Sequence, residues 1–191
     1  MNAYAEFLVK EDSVLLLVDV QRSMLDLCWD KDLLVKNVSA LIDIAKLQGI
    51  PMVLSAHNPE KLGSVLSEVL DRIPQPAIHE KLEFSCFENE TIFRTLQQSG
   101  RRTLLLAGLE THVCIFHTCV HALRLGYRVH VAADAVVSRN KLNWEVGLRR
   151  MERAGAVISS TEMIIFELLN RAGTSEFRAA LPLIKSLYSR R

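Results

Sequence analysis

An excess of either charge is missing from this chain. It has 23 Lys and Arg against 22 Asp and Glu, a formal net charge of +1. No field gathers nucleic acid or an anionic membrane surface. The arginine pairs at 101–102, 149–150 and 190–191 are scattered and read as solvated surface. Also missing is any run near the roughly 20 apolar residues a membrane helix needs. The longest apolar runs, Val14–Val18 and Thr103–Ala107, have the length of buried strands. The first thirteen residues carry Glu6, Lys10, Glu11 and Asp12 and no apolar stretch leading to a small-residue cleavage site, so no secretory leader is expected. Cysteine is sparse. Cys28, Cys86, Cys114 and Cys119 form no Cys-x-x-Cys pair and are too sparse a framework for a disulfide-stapled secreted domain; nothing asks for disulfides, and a reducing cytoplasm is the simplest expectation. There is no Gly-x-Gly-x-x-Gly and no Gly-x-x-x-x-Gly-Lys-Ser/Thr, so a nucleotide would lack its phosphate cradle.

What is present is an alternation. At 191 residues and 49% hydrophobic content, the chain can bury one core and is short for two. No linker, repeat or low-complexity segment divides it, so residues 1–191 read as one domain. Strands are expected at Val14–Val20, Pro51–Ala56, Ala77–Glu80, Arg102–Ala107, Tyr127–Ala132 and Ala156–Ser159. Helices are expected at Lys31–Gln48, Leu62–Leu70, Thr91–Gln98, Thr111–Leu125, Leu142–Ala154, Thr161–Leu169 and Ser175–Leu187. Strands alternating with helices of this length predict an α/β fold with a parallel sheet covered on both faces. Leu15-Leu16-Leu17-Val18 and Leu104-Leu105-Leu106-Ala107 are apolar on both faces, as buried parallel strands are.

Open parallel sheets bind ligands beyond the carboxyl ends of their strands. Five of the six expected strands deliver reactive groups there: Asp19, His57 with Asn58, Lys81, the segment Gly108–Cys114, and Asp134. Asp19 alone could cap a helix or pair with a surface lysine, and Lys81 alone could be an ordinary exposed lysine. Cys114 lies one turn into the helix expected from Thr111, where the free N–H groups favour a thiolate and could hold an oxyanion. Between Val113 and Ile115 it also fits a small core residue. Gly108 allows a tight turn with backbone close to a substrate. Cys28 and Cys119 read as inert core thiols, and Cys86 fits either role. His117 and His121 share a helical face, but with no His-Glu-x-x-His pattern and no third ligand. They and His112 read as surface or packing residues.

Three segments carry a resemblance. Leu16-Leu17-Val18-Asp19-Val20-Gln21 is similar to an apolar strand ending in Asp-x-Gln. Lys81-Leu82-Glu83-Phe84-Ser85-Cys86-Phe87 resembles Lys-x-x-Phe/Tyr-Ser-x-Phe. Gly108-Leu109-Glu110-Thr111-His112-Val113-Cys114-Ile115 resembles Gly-x-x-x-x-x-Cys-Val. In this order, with Ala132-Ala133-Asp134-Ala135 after the fifth strand, the set resembles the isochorismatase-like cysteine hydrolase family, which includes nicotinamidases and N-carbamoyl amidohydrolases. Glu110-Thr111-His112 is nearer to its uncharacterised members.

The resemblance implies a three-layer, Rossmann-like fold of six mostly parallel strands between helices. It implies a triad of Asp19 as general base, Lys81 as its charged partner and Cys114 as nucleophile. It implies a cis peptide at Leu109–Glu110 and an oxyanion hole from the backbone N–H groups of Glu110 and Cys114. Gln21, Met24, Phe84 and His57 are candidate pocket residues, with Trp29 nearby in sequence. Metal-using members carry Asp-x-His after strand two. Here that stretch reads His57-Asn58-Pro59, so no catalytic metal and no cofactor is expected. The implied activity is hydrolysis of a small amide or related C–N bond through a thioester. The alternatives are isochorismatase-type vinyl-ether cleavage, against which a nucleophilic thiol argues, and a non-catalytic oligomeric or redox-sensing protein. A small-molecule substrate and a homo-oligomer are expected, with neither nucleic acid nor membrane as partner. The apolar stripe Leu181, Leu183, Ile184, Leu187 could serve that assembly or pack on its own sheet.

Overall fold

A computed structural model describes residues 6–188. Arg190–Arg191 and the first five residues of the stretch examined for a leader lie outside the described residues. The sheet contains β1 (Ser13–Val18), β2 (Met52–His57), β3 (Ile78–Lys81), β4 (Thr103–Leu109), β5 (Arg128–Val137) and β6 (Val157–Ser159). Its order is β3-β2-β1-β4-β5-β6, and every pairing is parallel.

The helices are α1 (Arg22–Leu25), α2 (Lys31–Gln48), α3 (Pro59–Leu62), α4 (Ser67–Leu70), α5 (Glu90–Gln98), α6 (Phe116–Arg124), α7 (Lys141–Arg153), α8 (Thr161–Leu169) and α9 (Ser175–Tyr188). They form two layers. Alternate residues of each central strand point to opposite faces. Leu15, Leu17, Leu105, Ala107 and Leu109 pack on one face with α2, α8 and α9. Val14, Leu16, Val18, Leu104 and Leu106 pack on the other with α5, α6 and α7. All residues of β1 and β4 are buried, which is why both read as unbroken apolar runs.

Four expectations shift. The helix expected at Leu62–Leu70 is two short ones, because Gly63 leaves the helical path at a positive φ (φ 75°, ψ 177°) that favours glycine, and Val65 then bridges to Gln21. β1 stops at Val18, since Asp19 adopts a left-handed φ of 52°. The helix expected from Thr111 opens instead as a π-helical turn over Thr111–Ile115, with Ile115 N–H donating to the Glu110 carbonyl at 3.2 Å. β5 runs on to Val137, with an irregularity opposite Leu106–Gly108 that draws Asp134 into the strand. On α9, Ile184 is buried and Leu183 and Leu187 pack against the core beside α2, so that stripe is largely used within the chain.

Candidate active site

The strand order reverses between β1 and β4, and the crevice at such a reversal is where open α/β sheets bind ligands. Asp19 leaves the end of β1 on one side of it, and Cys114 follows β4 on the other. Lys81 ends β3, two strands from β1. The reach of its side chain closes that gap. Lys81 Nζ donates to Asp19 Oδ2 at 2.6 Å, to Cys114 Sγ at 3.6 Å and to the Glu83 carbonyl at 3.1 Å. The Asp19 and Lys81 side chains are both fully buried. A buried ion pair holds only when its remaining valences are filled. Here Ser55 Oγ fills one, donating to Asp19 Oδ1 at 2.7 Å.

The electrostatics follow from this packing. Burial pulls the Lys81 ammonium down, but Asp19, Cys86 and Cys114 push it up further, so its net shift is upward. Burial pushes the Cys114 thiol up, and the Asp19 charge adds to that while Lys81 opposes it. Burial and the neighbouring carboxylate thus act against the thiolate that a helix terminus favours. The Cys114 sulfur lies within 4.8 Å of an Asp19 carboxylate oxygen, the group that could take its proton. His57 is lowered by burial and by Lys81, against the pull of Asp19.

Cys114 opens onto a cleft of about 360 Å³ lined by Met24, Leu27, His57, Leu62, Phe84, Glu110, Val113 and Arg139. Of the candidate pocket residues, Met24, Phe84 and His57 line it, and the Phe84 and His57 rings stack with centroids 5.8 Å apart. Gln21 does not. It is fully buried and clamps the end of β2, accepting from the His57 N–H at 2.8 Å and donating to the carbonyls of His57 and Gly63. Trp29 meets Trp144 edge-on at 6.0 Å and lines a different cavity.

Three further expectations are corrected. The Leu109–Glu110 peptide is trans, as is every peptide bond of the described residues. The chain changes direction through Gly108, at φ 122°, and through an extended Glu110. Gly108 serves close packing of strands rather than a substrate: a Cβ there would lie 2.0 Å from the Val18 carbonyl oxygen. Asp134 stays away from the cleft, its carboxylate accepting from the Thr161 N–H and hydroxyl at 2.7 and 2.8 Å at the start of α8.

The other thiols and imidazoles fall into packing roles. Burial raises Cys28 and Cys86 to about 11 and Cys119 to about 12. His112 contacts Ser138 and Asn143, His117 packs beside Phe84 and Phe116, and His121 contacts Ser85 and Phe87. Two polar residues of the site were not foreseen, beside the apolar Leu27 and Leu62 of the cleft wall. Ser55 had a signal, as the one hydroxyl within the apolar strand Val53-Leu54-Ser55-Ala56. Arg139, which donates to Glu110 Oε1 at 2.9 Å on the cleft wall, had none.

A thiol, a carboxylate and an ammonium thus meet at the switch point of a parallel sheet of Rossmann-like fold. Residues 13–163 match the isochorismatase domain. The secreted isochorismatase effector Isc1 of Phytophthora sojae is 36% identical, over 93% of this chain and 87% of its own. An octameric hydrolase of unknown specificity, the YcaC product of Escherichia coli, superposes with a TM-score of 0.85 at 26% identity, over 95% of this chain and 89% of its own. YcaC from Pseudomonas aeruginosa, solved with hexane-2,5-diol and covalent acrylamide, superposes with a TM-score of 0.86 at 27% identity, over 97% and 98%. The chain belongs to the isochorismatase family.

Proposed function

We propose that this chain is a metal-independent cysteine hydrolase that cleaves a small amide or related C–N bond through a thioester. One observation carries the reading: a single ammonium, Lys81, joins the Asp19 carboxylate and the Cys114 sulfur at the foot of an open cleft. Asp19 takes the thiol proton as the sulfur attacks the carbonyl carbon, and Lys81 balances the charge that moves between them. The backbone N–H groups of Glu110 and Cys114 hold the oxyanion. The C–N bond then breaks, with Asp19 returning the proton to the departing nitrogen. Water, deprotonated by Asp19, cleaves the thioester and restores the thiol. The mostly apolar lining, from Met24, Leu27, Leu62, Phe84 and Val113, suits a small organic acyl group. Covalent acrylamide in a structural neighbour supports a reactive group in this fold.

The test is to assay wild type and Cys114→Ala against a panel of small carboxamides. Activity is expected only in the wild type, with an acyl adduct on the Cys114 peptide when the reaction is quenched early. Undiminished hydrolysis by Cys114→Ala of any substrate the wild type turns over would sink the mechanism.

We further propose that the chain acts as one domain, assembles as a homo-oligomer and works in the cytoplasm without nucleic acid or membrane partners. The octameric neighbour supports assembly, and four unpaired cysteines suit a reducing compartment, although one relative is named a secreted effector. No helix among the described residues is long and apolar enough to cross a membrane.

A further inference from the structure

Pro59, in the stretch after β2, offers no metal ligand. In the folded chain the residue that matters is His57, and its partners come from elsewhere. One ligand atom each from Asp19, His57 and Cys114 lies within 4.8 Å of the other two. His57 Nδ1 is buried and has no hydrogen-bond partner. Stacking on Phe84 restrains the ring, and the cleft gives access to it.

We propose that Asp19, His57 and Cys114 form a three-ligand site for zinc, which holds the enzyme in a reversibly inhibited state. Imidazole and thiolate select a borderline-soft ion over magnesium or calcium, which take oxygen ligands. Zinc–ligand bonds of about 2.0–2.3 Å require the three atoms to close to roughly 3.3–3.7 Å apart, a movement on the order of 1 Å. The fourth position faces the cleft and takes water.

Binding forms a Zn–S bond and releases the thiol proton to the buffer, with no electron transferred. The Lys81 ammonium, held by Asp19 Oδ2 and the Glu83 carbonyl, gives up its contact with the sulfur. Its nearby charge weakens the site, which suits a regulatory ion better than a permanent one. Inhibition follows because the metal occupies both the sulfur and the carboxylate. That consequence rests on the hydrolase reading, whereas the binding does not.

The experiment uses the whole protein, freed of metal with a chelator and titrated with zinc chloride against a chromophoric zinc indicator, without substrate. One zinc per chain is expected. His57→Asn and Cys114→Ser should each bind it more than about tenfold more weakly, while Cys28→Ala and His121→Gln bind it as the wild type does. Cobalt(II) should give a thiolate-to-metal absorption band that Cys114→Ser lacks. Absence of binding, or zinc affinity unchanged in His57→Asn, would overturn the proposal. Should Cys114→Ser not fold, His57→Asn, at a half-buried ring, decides alone. If amide hydrolysis proves independent of Cys114 while zinc still binds through it, the hydrolase reading falls and the metal site stands.

Discussion

Ser55 and Asp19 are tied to each other twice: the Asp19 N–H donates to the Ser55 carbonyl at 3.1 Å, and the Ser55 hydroxyl donates to Asp19 Oδ1 at 2.7 Å. The first bond sets the backbone where β1 ends. The second aims the carboxylate so that its other oxygen meets Lys81. Asp19 holds a left-handed φ of 52°, a conformation that aspartate tolerates at some cost and that persists where its surroundings over-determine it.

Ser55→Ala should therefore act on both turnover and folding. A hydrogen bond to a charged group contributes about 1.5–3 kcal/mol, so kcat/KM on the best amide found is expected to fall by roughly tenfold to a hundredfold. Thermal unfolding followed alongside should show a loss of similar size, since the carboxylate is fully buried. Unchanged kinetics would mean that Lys81 alone aims the carboxylate.

Lys81→Met should be severe for stability. It strands the Asp19 carboxylate in a fully buried position, and breaking one side of such a pair costs about 3–5 kcal/mol. The double variant Lys81→Met with Asp19→Asn should recover much of that loss, since no uncompensated charge remains. Urea unfolding of the two single variants and the double variant measures the coupling, and simple additivity would refute it.

Gly108→Ala places a Cβ 2.0 Å from the Val18 carbonyl oxygen, at a φ of 122°. Backbone cannot yield as a flexible side chain can. The expected loss is more than about 3 kcal/mol, through separation of β1 from β4. Urea midpoints would show it, and a loss below 1 kcal/mol on the order of ordinary surface changes would contradict the packing.

His130 makes stability depend on pH. It is 4% exposed, and burial followed by Arg128 lowers it from 6.5 to about 4. Folding thus favours the neutral ring. The unfolded chain binds a proton below about 6.5 that the folded chain refuses until about 4, so this contribution is complete above 6.5 and lost as pH falls toward 4. The full shift corresponds to about 3 kcal/mol. Unfolding free energies of the wild type and His130→Gln, measured at pH 7 and pH 4.5, should converge at the lower pH. Parallel curves would show that the ring is not the group responsible.

The residues along the chain were enough to define the strand–helix alternation, the α2 boundaries, the apolar faces of β1 and β4, and the three segments that carry Asp19, Lys81 and Cys114. These are local matters: period, run length and a polar residue ending an apolar strand are all visible in neighbouring residues. Only the tertiary structure decided which groups meet. Asp134, one of the groups expected at the carboxyl edge of the sheet, instead holds the start of α8. Gln21 looked like pocket lining until its amide closed on the end of β2. Ser55 and Arg139 entered through contacts 36 and 29 residues apart in the chain. The state of the Cys114 thiol was set by how deeply the sulfur is buried and by a carboxylate from another strand. Burial, charge proximity and close backbone approach are sums over groups brought together from distant parts of the chain, so no stretch of sequence contains them.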